Sequence, residues 1–185
     1  MANGFKVVGS FTSGDPTSLV RTCYCTGEQI MQGDLVKLAG GTESTGKYPD
    51  VTPITAVGDV IFGVVIGFRN RPEKALDSSS QYGAATDTVY PIINFDMRPK
   101  LVGQADGALT SSELMYNCKP LIASGDTTSG MSGHGIDASE AATTNSLTLK
   151  LLGLYDTEDN EISDTSPLVV CTYNIHQFDT DTAGV

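Results

Sequence analysis

Tryptophan is absent from this chain, histidine occurs only twice and cysteine four times. Aromatic residues make up 7% of it, too few for a platform on which sugars or single-stranded nucleic acid would stack. Cations are also scarce, 11 Lys and Arg against 22 Asp and Glu, for a formal charge of -11. Such a surface repels phosphate backbones and argues against a nucleic-acid partner. The longest apolar run, residues 60–68, falls well short of the ~20 residues that a membrane-spanning helix needs, so no membrane partner is expected. The start, Met1-Ala2-Asn3-Gly4-Phe5-Lys6, lacks the basic opening and apolar centre of a signal peptide. Synthesis in a cytosol follows as the expectation, with Cys23, Cys25, Cys118 and Cys171 reduced.

What the chain does have is glycine (20 residues) with much Ser and Thr, and 39% hydrophobic residues within 185. That balance predicts short strands and many turns around a real core. Two Gly-Asp turns, Gly33-Asp34 and Gly58-Asp59, each launch an apolar run, 35–39 and 60–68. At period two, Val60, Phe62, Val64, Ile66 and Phe68 share one face of the second run, and Ile61, Gly63, Val65 and Gly67 share the other. A strand apolar on both faces must be covered on both, and its glycines permit a bulge or a close backbone approach. This run is predicted to be the central strand of a mainly β fold, a β-barrel or β-sandwich with an extended arm, long loops and at most one or two short helices.

Around that pair, residues 1–18 read as an N-terminal arm or edge strand, with Phe5, Val7 and Phe11 on one face of 5–12 before Gly14-Asp15-Pro16 breaks it. Residues 19–185 read as a single β-rich domain with a polar loop excursion at about 69–87. Strands are predicted at 19–26, at 88–95 with Pro91 marking an edge or bulge, and at 100–104. Thr110-Ser111-Ser112-Glu113 fits a capping box, predicting a short helix over 114–118, and Asp137-Ala138-Ser139-Glu140 fits the cap of one further turn. Residues 147–155 and 168–178 alternate on either side of an acidic loop, 156–164, and read as a β-hairpin. In the second of them Val169, Cys171, Tyr173 and Ile175 face inward, with Thr172, Asn174 and His176 outward.

Candidate chemistry is thin. Cys23-x-Cys25 puts two sulfurs on one strand face, and Cys118, Cys171, His134 and His176 could complete a zinc site. No pair has zinc-knuckle spacing, so buried structural thiols are the reading adopted. Asp156-x-Glu158-x-Asn160 opens like a calcium loop, but Glu161 stands where the obligatory glycine belongs and Pro167 where the closing glutamate belongs. Gly130-x-x-Gly133 has no following lysine for a phosphate loop, and no Gly-x-Ser-x-Gly elbow occurs. His176, on the polar face of its strand, reads as a solvated or interface histidine. No catalytic, cofactor-binding or metal-binding residue is assigned.

One block has a familiar order. Residues 129–139 (Ser-Gly-Met-Ser-Gly-His-Gly-Ile-Asp-Ala-Ser), Ala141-Ala142-Thr143-Thr144 and residues 147–154 are followed by Asp159-Asn160-Glu161 and Tyr173-Asn174-Ile175-His176-Gln177. Together they resemble small virion proteins of tailed bacteriophages that decorate, or cement, the icosahedral head. Gly33-Asp34-Leu35-Val36-Lys37 and residues 63–68 are similar to the N-terminal half of the same group, while residues 72–104 diverge. The resemblance implies a β-rich homo-oligomer, commonly a homotrimer, on the outer capsid surface of a virion, made in the host cytoplasm. Its partners would be the major capsid protein and itself, with no cofactor and no enzymatic activity. An arm with apolar residues and little nearby chain to bury them suggests Phe5, Val7 and Phe11 as contacts, and Arg69 and Arg71 are the basic candidates. Two other readings stay open: a head-fibre, tail or neck component, and a small metal- or thiol-dependent enzyme.

Overall fold

The structure is a computed structural model whose described residues are 4–11, 19–69 and 82–179. Their strands are β1 (Lys6–Ser10), β2 (Val20–Thr22), β3 (Cys25–Thr26), β4 (Ile30–Met31), β5 (Leu35–Thr42), β6 (Pro49–Pro53), β7 (Gly63–Phe68) and β8 (Tyr82–Gly83). They continue with β9 (Thr88–Val89), β10 (Pro91–Asn94), β11 (Pro99–Gln104), β12 (Asn117–Leu121), β13 (Gly135–Ala142), β14 (Leu149–Leu154) and β15 (Leu168–Tyr173). No helix occurs among the described residues, and the mainly β class expected from the sequence, barrel- or sandwich-like, is the class observed.

Two sheets carry the architecture. The larger has the order β1-β11-β15-β14-β12-β13, and the smaller β2-β10-β7-β5-β6, with β7 at its centre. Neighbours in both are antiparallel. Two-stranded ribbons, β3-β9 and β4-β8, complete the set.

The double-sided apolar character of 60–68 has a direct structural reason. Ile61 and Val64 pack in a first core with Leu35 and with Leu101, Ile136, Leu149, Leu151 and Val169 of the larger sheet. Phe62 and Val65 pack in a second core with Val36, Val51, Ile93, Cys23, Cys25 and Ile30. At β7 the smaller sheet is therefore covered on both faces. Burying each such aliphatic side chain contributes about 1.5–3 kcal/mol. Gly63 makes the close approach its type allows: a Cβ there would lie 2.3 Å from the Asn94 carbonyl oxygen. The register of β10 on β7 slips at Ile92/Ile93, opposite Gly67 and Val65, which is the bulge. Strict alternation fails at these two places, so Phe62 and Val64 serve different cores despite their predicted common face.

Several expected boundaries shift. The β7 strand starts at Gly63, not Val60. Residues 19–26 divide into β2 and β3 around Cys23 and Tyr24. Pro91 is the first residue of β10, which is interior, flanked by β2 and β7, so the edge reading is corrected and the bulge reading holds. Glu113 does reach back to cap Thr110 N–H (2.6 Å), yet no helix follows. Met115 at φ 83 turns the chain after one reverse turn, and Asn117 enters β12. Asp137 likewise caps nothing helical. Its carboxylate accepts from Ser139 N–H (3.1 Å) within β13, where Ile136 and Ala138 are buried. The β14–β15 hairpin forms as predicted, with Val169, Cys171 and Tyr173 buried. It ends at Tyr173 instead of 178, so alternation no longer governs His176.

Candidate functional site

The block from Gly130 to Gly135 docks on the first Gly-Asp turn. Gln32 N–H donates to Gly130 O (3.3 Å), and Ser132 N–H donates to Gln32 O (2.9 Å). Gly33, at φ 91, sits under the N-terminal segment, and its missing side chain is what allows this: a Cβ would lie 2.9 Å from Gly4 Cα. Into this junction fold Asp34, Ser132 and His134, all buried. Asp34 Oδ2 accepts from Met31 N–H (2.7 Å), and its carboxylate also takes the Ser132 hydroxyl. Its Oδ1 lies 3.8 Å from His134 Nε2, while His134 Nδ1 accepts from Leu35 N–H (3.1 Å). Burial raises the Asp34 carboxyl against the opposing pull of His134, Ser132 and Met31. Burial lowers His134, against the attraction of Asp34. An imidazole accepting at Nδ1 and carrying its proton at Nε2 is neutral, in keeping with that direction.

These residue types are those of a hydrolytic triad, but their connections are not. The serine hydroxyl serves the carboxylate, and both imidazole nitrogens face groups other than that hydroxyl, so neither is placed to take its proton. The cluster is a buried tie between the glycine-rich block and the β4–β5 turn.

His176, expected on a solvated face, is 1% exposed. Beyond Tyr173 the chain turns inward, and His176 Nε2 reaches Phe62 O (2.9 Å) while Nδ1 accepts from Phe178 N–H (3.2 Å). Its ring stacks on Tyr173. Burial lowers it despite the hydrogen bond to Phe62 and the nearby Asp179 and Asp96.

The four cysteines are free and buried. Cys23 and Cys25 lie in the second core, Cys118 and Cys171 in the first, so the zinc set considered from sequence is not assembled. Among the described residues no three His, Cys, Asp or Glu side chains are grouped to hold a metal ion. Burial pushes Cys23, Cys25 and Cys118 up to about 12, and Cys171 well above its ordinary value. Asn160, in the calcium-like stretch, staples the hairpin instead. Its Nδ2 donates to Tyr155 O and Leu168 O (both 2.8 Å), and its Oδ1 accepts from Leu168 N–H (2.8 Å).

The proposed contact residues separate. Strand β1 is the edge of the larger sheet, and Phe5 is buried in this chain's own first core, with Val7 half-buried against it. Those two face inward, which removes Phe5 from any outer surface. Phe11 is 55% exposed, with Lys100 Nζ 4.6 Å from its ring centroid. Arg69 donates to the Tyr48 hydroxyl (2.8 Å) beside Tyr90, whose ring lies 5.2 Å from that of Tyr48. Arg71 lies outside the described residues.

Phe11 has company that sequence reasoning missed. The connector from β10 to β11, residues 95–98, crosses between the two sheets, and its exposed Met97 lies beside Phe11. Phe11 N–H donates to Arg98 O (3.0 Å), Val20 pairs with Asn94, and the Phe178 ring packs edge-on to Phe95. Phe11 and Met97 border a depression of about 430 Å³ with Arg98, Lys150, Thr172 and Asp179. The alternation of β11 and β14 marks Lys100 and Lys150 as outward, but nothing in one strand says which residue lies beside it across the sheet. A groove of about 610 Å³ lies elsewhere, bordered by β1, Gln32, Val65, Gln104 and Met131.

Comparison with known protein families, with curated proteins and with solved structures found no match.

Proposed function

We propose that this protein is a structural virion component that decorates and cements the outer surface of an icosahedral capsid, binding the major capsid protein and copies of itself. The observation that carries this reading is the pair of exposed apolar side chains Phe11 and Met97, which border one surface depression at the connector between the sheets. Exposed large apolar groups gathered in one place mark contact surfaces. Among the described residues Asp34, Ser132 and His134 are, by contrast, buried and bonded to their neighbours, and the four cysteines are buried. The ordered block 129–154 and its resemblance to head-decoration proteins supports the same reading. A cement acts by binding the assembled shell and not separated capsomers, which stabilises the shell by mass action, on the order of a few kcal/mol per site at saturation. Repetition over the lattice multiplies that gain.

The test is to strip or delete the protein and heat the particles. Decorated heads are expected to rupture at a higher temperature, and re-addition of pure protein to restore it. Equal rupture temperatures, or pure protein that binds no expanded capsid, overturn the reading in favour of a tail or neck component.

A further inference from the structure

The two ends of the β14–β15 hairpin carry opposite charge. At one end the register sets Lys100, Thr172 and Lys150 side by side on β11, β15 and β14: Leu101 pairs with Cys171, and Lys150 pairs with Thr172. Paired residues share a face, and the alternate positions Leu101, Cys171, Leu149 and Leu151 fill the first core, so the row lies on the outer face. Arg98, exposed, sits at the end of this row with Phe11 and Met97. Among the described residues none of these three cations makes an ion pair with a carboxylate. Among the described residues Asp179 is the one acid bordering the depression, and its Oδ2 already accepts from His176 N–H (2.9 Å). Thr172, more than nine-tenths covered, lies between the two lysines, and its hydroxyl has no hydrogen-bond partner among the described residues.

At the other end, the loop between β14 and β15 carries Asp156, Glu158, Asp159 and Glu161, all exposed, and no cation. The staple by Asn160 fixes the base of that loop. Some six residues of strand, roughly 20 Å, separate Lys150 from Asp156. That is about twice the Debye length in 0.1 M salt, so the two ends do not satisfy each other within one chain.

We infer that the basic, apolar-rimmed depression of one copy takes the acidic 156–161 loop of a second copy, in a head-to-tail contact. Carboxylates of the loop meet Arg98, Lys100 and Lys150, with the Thr172 hydroxyl as a donor between the lysines, and the rim of Phe11 and Met97 keeps water from the pairs. A contact between two different patches is heterologous: copies close into a ring if the rotation allows and otherwise run on. The inference rests on the self-assembly part of the function proposed above, and its test needs no capsid.

Sedimentation velocity of the full chain at low and high salt is the measurement. Wild-type protein is expected to self-associate at low salt and to lose association as salt rises. Reversal of the basic patch (R98E with K150E) and reversal of the loop (D156K, E158K and D159K) should each weaken association about tenfold or more. An equal mixture of the two reversed proteins should regain it, because each patch then meets a loop of opposite charge. Unchanged β-type circular dichroism keeps misfolding apart from lost contact. A monomeric wild type at low salt, reversed proteins that associate like wild type, or a mixture that gains nothing overturns the contact. Decorated heads that still resist heat in the presence of such a result leave the capsid reading standing.

Discussion

The 31–35 junction and the 94–98 rim invert the usual placement of side chains. At the junction, polar groups lie inside: Asp34, Ser132 and His134 are buried, and each is bonded to backbone or to another member of the cluster. At the rim, apolar groups lie outside: Phe11 and Met97 are 55% and 40% exposed beside cations that, among the described residues, make no ion pair with a carboxylate. The residue types at the junction are those of catalysis, yet their bonding capacity is used up in holding two segments together. Those at the rim are chemically bland, yet their capacity to make contacts is unspent. In this molecule unsatisfied surface, more than reactive residue type, points to function.

The largest effect expected from breaking this contrast is at Asp34. Asp34→Ala leaves Met31 N–H and the Ser132 hydroxyl buried without their acceptor, and should cost about 3 kcal/mol. Denaturant unfolding measures it, and a loss under about 1 kcal/mol removes the tie from the list of structural supports.

Acid should act next. His134 and His176 are both lowered from 6.5 by burial, so the unfolded chain takes up their protons first as pH falls. Their contribution is complete above 6.5 and is lost as pH drops through 6.5 toward the lower folded values. Asp34 runs the other way. Its folded value is raised above 3.8, so its burial costs stability at neutral pH and that cost is relieved as pH falls through the raised value. Stability should therefore fall from about pH 7.5 to about pH 5.5, with Asp34 opposing at the acid end. His176→Gln should flatten the slope measured by denaturant midpoints. A slope unchanged by it refutes the assignment.

Thiol reactivity sharpens the same contrast. With burial holding Cys23, Cys25 and Cys118 up at about 12, all four cysteines should resist a thiol reagent in native protein and react fully once it is unfolded without reductant. Stoichiometric zinc, or a disulfide-linked peptide, contradicts this.

The smallest effect on stability belongs to the rim. Phe11→Ser and Met97→Ser should shift unfolding by no more than about 0.5 kcal/mol. Self-association or capsid binding should nevertheless fall. A large stability loss with unchanged binding would place the rim among structural elements.

Much of the fold was legible because it follows from local period. The alternation of β14 and β15 predicts their hairpin and places Val169, Cys171 and Tyr173 inside. The two apolar faces of 60–68 predict a strand covered on both sides, and β7 is central to a sheet with a core on each face. The helix expected after Thr110 failed although its capping interaction forms, since one cap cannot carry a chain whose next residues are claimed by the β12 pairing. The buried position of His176 was not legible, because strand alternation has no meaning once the strand has ended at Tyr173.

Sequence alone determined the β class, the acidity, the double-sided central strand and the burial of the cysteines, all of which depend on composition or on residues a few positions apart. Tertiary structure decided everything that joins distant positions. It set Asp34 and Leu35 against His134, the Leu35 N–H reaching the imidazole across 99 residues of chain. It divided the cysteines between two cores, and it lined up Lys100, Thr172 and Lys150 from three strands. The physical reason is register. A strand's own pattern says which side chains share a face, but only pairing with other strands says which neighbours they meet there.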